Sequence, residues 1–172
     1  PIGLAALLTA QFYSPAEIVM VDLDANRLEV AKGFGATRTV MAGGEEAKRL
    51  ILESTTGRGV DTAIEAVGIP ATFELCQEIV APGGVIANIG VHGVKADLHL
   101  ERLWSHNISI TTRLVDTVTT PMLLKTVQAN RIDPGRLITH RFGLGRILDA
   151  YDTFSRAADT KALKVIIEAA DG

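Results

Sequence analysis

Gly3 and Asp22 stand 19 residues apart, each at a point where a backbone or side chain could meet a ligand. The glycine sits in Pro1-Ile2-Gly3-Leu4, at the head of an apolar stretch of helical composition, and the acid ends the apolar run 18–21 within EIVMVDLDANR, residues 17–27. A helix N-terminus offers unpaired N–H groups and the positive end of its dipole, which suits a pyrophosphate. A carboxylate about 20 residues further on, at the tip of the next strand, suits the two ribose hydroxyls of an adenosine and repels a 2′-phosphate. Together they form the back half of a dinucleotide-binding fingerprint. The front half, two further glycines, is not in the chain. Taken alone, Pro1-Ile2-Gly3 reads as an ordinary helix start. Asp22 alone reads equally as an N-cap, which Asp24 or Asn26 could also supply. Strand context and spacing together favour the ribose role, and Arg27, one helical turn on, could lean over the adenosine.

Two more strand ends belong to the same argument, because ligands of open α/β sheets bind outside the carboxyl ends of the strands. They are Glu65-Ala66-Val67-Gly68 and Ile89-Gly90-Val91-His92-Gly93, with small or apolar residues where a flat ligand must approach the backbone. Each taken singly is also plain strand-to-loop turn chemistry. His92 could relay a proton, although a loop histidine with no partner visible in the sequence is more often incidental. No Gly-x-Ser-x-Gly and no Cys/His pair offers a nucleophile with its base. Glu45 and Glu46 open an amphipathic helix and favour its dipole, which is a structural role.

The elements that must position these residues follow from periodicity. Helices are expected over 2–12 (apolar all round, hence buried), 26–34, 45–53, 70–80, 119–129 and 146–157. Continuous apolar runs predict buried parallel strands at 18–21, 60–67 and 85–90, with further strands at 37–41, 108–112, 138–142 and 162–168. Pro82-Gly83-Gly84 reads as a hard turn, and 91–106 as a loop with one helical turn near Leu100. Strand–helix alternation implies a doubly wound parallel sheet with helices on both faces.

Composition agrees with a globular protein: 172 residues, 47% apolar, 22% charged and a net charge of −3. Nucleic acid and anionic membrane are not expected as partners. The single cysteine, Cys76, excludes an internal disulfide framework and a cysteine-rich zinc site, and suits the cytoplasm. His92, His99, His106 and His140 show no close metal-ligand spacing.

In order along nearly the whole chain, PIGL, VDLDANRLEVAKGFGA, GRGVDTAIEAVG, APGGVIANIGV, ISITTRLVDT and ALKVII resemble the medium-chain, zinc-dependent alcohol dehydrogenases. ITTRLVDT and THRFGL are similar, more loosely, to bacterial secondary or broad-substrate members. The resemblance implies a Rossmann-type nucleotide-binding domain over 1–116 that lacks its first strand, and a segment over 117–172 that packs toward a catalytic domain outside the chain. It implies NAD as cofactor. Pro1, Ile2 and Gly3 would be the tail of the phosphate loop, with Asp22 on the ribose and Arg27 beside it. Val67, Gly68, Ile89, Gly90 and Val91 would line the trough. Thr112, Arg113 and Leu114 would lie near the carboxamide, and Lys164 on the pyrophosphate. Catalytic and metal-ligating residues would belong to the absent domain, zinc included, so the full-length protein would be about twice as long and this part inactive alone. The edge strand Ile108 to Thr112 would pair with its copy in a homodimer or homotetramer. The substrate would be a small alcohol or carbonyl compound. Alternatives are a zinc-independent quinone or enoyl reductase of the same superfamily, or a non-catalytic dinucleotide-binding module.

Overall fold

The computed structural model describes residues 1–115 and 117–169. Residue 116, at the boundary expected between the two parts, and 170–172, at the end of the second, lie outside the described residues. Helix α1 spans Ile2–Ala10 and continues as a 3-10 turn, Gln11–Tyr13, which ends on a left-handed Ser14 just before Pro15. Strand β1 (Val19–Val21) pairs in parallel with β2 (Arg38–Val40), and α2 (Ala25–Gly33) makes the crossover. Asp24 starts that helix, its Oδ1 accepting from the N–H groups of Asn26 and Arg27 at 2.7 and 3.3 Å. After α3 (Gly44–Ser54) come β3 (Val60–Glu65), α4 (Pro70–Ile79), β4 (Val80–Asn88), the short α5 (Leu100–Leu103) and β5 (Ser109–Thr112). These strands form a parallel sheet in the order β3-β4-β5. Beyond α6 (Thr120–Gln128), the strands β6 (Ile138–Gly143) and β7 (Lys164–Glu168) make a parallel pair that α7 (Ile147–Ser155) and α8 (Ala157–Thr160) connect.

Every strand pairing among the described residues is parallel, as expected of this fold class. The β1-β2 and β3-β4-β5 sheets are separate, with β1 and β3 each paired on one side. Those two open edges are where the first strand of a 3-2-1-4-5-6 sheet would lie. Side chains alternate along β1 between two apolar clusters: Val19 and Val21 pack with α3 and α4, Ile18 and Met20 with α1 and α2. Ala63 and Ile86 join the first cluster, so one core ties both sheets together.

Two expectations change. Pro82-Gly83-Gly84 is not a turn between elements. It is a register shift inside β4, where Val60 faces Val80 but Thr62 faces Val85, and Gly83 takes a φ of +78°. A glycine accepts that backbone without strain. Helix α1 buries only Leu4 and Leu7, because the other side of this all-apolar helix is not covered by these residues. Part of the C-terminal segment also packs on the preceding elements. Leu137 and Leu163 share a core with Leu4, Leu7, Ala31 and Phe34, and the Arg136 guanidinium lies 4.3 Å from the Phe34 ring centre and donates to Gly33 O.

Candidate functional site

The N-terminus of α1 lies between the carboxyl ends of β1 and β3. A Cβ built on Gly3 would meet Met20 Cε at 3.7 Å and Ala66 Cβ at 4.0 Å, which is ordinary contact. Close helix–strand packing therefore does not require glycine here. Around this terminus the charges gather. Arg27, Lys164 and Asp22 all lie close enough to Pro1 to interact with it electrostatically. Residues from α1, β1, α2 and β7 thus meet at one place, although Lys164 is 142 residues from Asp22 in sequence.

Asp22 is a third exposed and ends β1, its N–H bonded to Val40 O. Its Oδ1 accepts from the Asp24 N–H at 3.0 Å, and its Oδ2 stands 3.7 Å from Arg27 Nη1. The capping alternative is settled by this geometry, since Asp24 and not Asp22 caps α2. Asp22 keeps an accessible oxygen beside a guanidinium that is 56% exposed.

The second group of predicted residues forms a cleft of about 250 Å³ between the ends of β4 and β5, lined by Asn88, Ile89, Gly90, Val91, Thr112, Arg113 and Leu114. Six of these seven lining residues were expected, Asn88 being the addition. Register explains the juxtaposition, because Asn88 faces Thr112 across the β4–β5 pair. Val67 and Gly68 stand behind this wall. A Cβ on Gly68 (φ +90°) would overlap the Val91 carbonyl, and one on Gly90 would overlap Glu65 Oε2 and the Gly68 backbone. The two strand ends interlock so closely that only glycine fits at either crossing.

Beneath them lies a residue whose role the sequence reading missed. Glu65 is fully buried at the end of β3. Its Oε1 accepts from Val67 N (2.9 Å), Gly68 N (2.8 Å) and Thr72 Oγ1 (2.6 Å). Burial pushes its carboxyl pKa up, but the bonds from Thr72, Gly68 and Val67 and the His92 charge prevail and hold it below the ordinary glutamate range. His92, incidental on sequence grounds, has partners: Nε2 lies 2.9 Å from Asn88 Oδ1 and 3.4 Å from Glu65 Oε2. A charged residue closing an otherwise apolar strand was the available signal. Cys76 lies close by, its thiol pushed up to about 12 by burial and by Glu65, so it is inert.

Among the described residues no group of three His, Cys, Asp or Glu side chains could hold a metal ion. Nor, among them, is any helix long and apolar enough to cross a membrane. Strand β5 is an edge of its sheet and all four of its residues are exposed.

Comparison with known proteins places these features in context. A family model described as zinc-binding dehydrogenase matches residues 1–128. An alcohol dehydrogenase of Cupriavidus necator is 31% identical over 98% of this chain and 47% of its own length. A sorbitol dehydrogenase of Arabidopsis thaliana is 30% identical over 96% and 47% respectively. Among solved structures, the apo form of zinc-dependent alcohol dehydrogenase 2 from Streptococcus pneumonia is 54% identical with a TM-score of 0.93, covering 99% of this chain and 50% of that one. The chain spans about half the length of the curated relatives it matches.

Proposed function

This chain belongs to the zinc-binding dehydrogenase family, and from that premise we propose that it is the nucleotide-binding part of an NAD-dependent alcohol dehydrogenase. The observation that carries the cofactor assignment is Asp22: a strand-end carboxylate released from capping, facing the charged surroundings of the α1 N-terminus. In this reading Asp22 accepts the adenosine ribose hydroxyls and disfavours a 2′-phosphate, with Arg27 alongside. The α1 N-terminus and Lys164 hold the pyrophosphate. The cleft between β4 and β5 then takes the nicotinamide, since Asp22 marks the opposite end, and Val67, Gly68 and Ile89 to Val91 wall the trough. Thr112, Arg113 and Leu114 offer backbone to the carboxamide. Bound NAD supplies a hydride acceptor for an alcohol carbon. The chain's own contribution is to bind and orient it.

No group of three metal-ligating side chains is formed among the described residues. In this proposal zinc belongs, with the substrate pocket, to a catalytic domain outside them, as the relatives' double length supports, and this chain alone is inactive. Exposed β5 pairs with its copy in a homodimer or homotetramer, in the cytoplasm. The test is a full-length protein supplied with NAD, zinc and a panel of primary, secondary and polyhydric alcohols. Reduced nicotinamide should accumulate with at least one alcohol. No reduction of NAD by any of them, in either direction of the reaction, would contradict the proposal.

A further inference from the structure

We propose that Glu65 and His92 act as a positioning pair that shapes the nicotinamide end of the trough and so governs how tightly that half of the cofactor is held. This rests on the cofactor reading above. Glu65 is one of only two buried polar residues recorded in the described core, the other being Gln77. A buried carboxylate costs several kcal/mol unless its oxygens are matched, so an apolar side chain would fill this place at lower cost if packing were the only demand. Oε1 is fully used by Val67, Gly68 and Thr72. Oε2 is buried with no hydrogen-bond partner, and it points to where Gly90 crosses and where His92 Nε2 stands 3.4 Å away.

His92 completes the device. Its Nε2 faces two acceptors, Asn88 Oδ1 and Glu65 Oε2, so the hydrogen is assigned to Nε2. That donation orients the Asn88 amide, whose Nδ2 in turn donates to Gly90 O at 3.1 Å. Phe73 of α4 sets the imidazole with an edge-on contact, ring centres 6.0 Å apart. The Ile89 and Gly90 N–H groups bond back to Glu65 O at 2.9 and 3.1 Å. Gly90 and Val91, which form the cleft wall, are therefore held from behind by a chain running Thr72–Glu65–His92–Asn88–Gly90. None of these contacts reaches the Asp22 end. The pair positions the wall and does no chemistry.

The test uses the full-length protein and two ligands, NAD and ADP-ribose, the latter lacking the nicotinamide. Glu65→Gln keeps an oxygen for the three donors but sets an amide N–H against His92 Nε2–H. His92→Phe keeps a ring beside Phe73 and deletes the donor, whereas His92→Gln restores an N–H near the Nε2 position. Calorimetric titration should show NAD weakened roughly tenfold by Glu65→Gln and by His92→Phe, the scale of one lost buried polar contact. ADP-ribose affinity should be unchanged, the double variant no worse than the worse single one, and His92→Gln near wild type. Equal weakening of both ligands alongside a lower melting temperature would reduce the pair to a structural role and overturn the inference, as would no change in either. If Glu65→Gln does not fold, the two His92 variants decide the matter. Wild-type protein that binds neither ligand would instead sink the cofactor reading itself.

Discussion

The two ends of the proposed cofactor trough are built on opposite principles. At the Asp22 end, the side chains of Asp22, Arg27 and Lys164 converge loosely, the Asp22–Arg27 pair being 3.7 Å apart and partly solvated. At the cleft end, two strand termini interlock through glycines and a buried carboxylate, behind a wall lined by residues 88–91 and 112–114. The first arrangement can be altered with little effect on folding, because surface ion pairs contribute little. The second cannot, because its shape is part of the core. Selectivity between cofactors should therefore be separable from stability, while the geometry around the nicotinamide should not.

Gly90→Ala should break this contrast most severely, since its Cβ overlaps the Gly68 backbone as well as Glu65 Oε2. A loss of about 3 kcal/mol or more in denaturant unfolding is expected. A loss below about 0.5 kcal/mol would show that the crossing is not tight. Acid should act next. The folded-state pKa of Glu65 is depressed, so its contribution is complete above the ordinary glutamate range and is lost as pH falls through the lower folded value. Thermal midpoints of wild type and Glu65→Gln should accordingly converge on acidification. A gap that widens would contradict the sign.

Asp24→Ala removes the α2 cap and should cost about 1 kcal/mol of stability, with the NAD-to-NADP preference intact because Asp22 does not share the capping. A changed preference would mean that the two acids work as one. The smallest effect concerns Cys76, whose buried thiol should resist alkylation at neutral pH until the protein is denatured. Rapid labelling of native protein would show that the β3–α4 core opens.

Much of the architecture was legible in the sequence, and the reasons are physical. Continuous apolar runs bounded by Gly and Pro located the strands to within a few residues, and a single helical turn near Leu100 was found within a long loop. Pro82-Gly83-Gly84 misled because turn residues also serve bulges, and only the partner's register distinguishes the two. The docking of Leu137 and Leu163 onto α1 and α2 joins residues more than a hundred positions apart, which local periodicity cannot register. In the cleft, strand-end logic named Ile89, Gly90 and Val91, and the family resemblance named Thr112, Arg113 and Leu114. Strand-end logic named Glu65 but not its role, since a buried carboxylate is recognised by its partners, and those come from three separate segments.

The central claim is that Asp22 selects NAD, and affinity for the two dinucleotides tests it most directly. Dissociation constants for NAD and NADP should be measured on full-length wild type and Asp22→Gly. Wild type should favour NAD, and the variant should lose roughly tenfold or more of that preference with its melting temperature nearly unchanged. An unaltered ratio of the two constants in a folded variant would contradict the account.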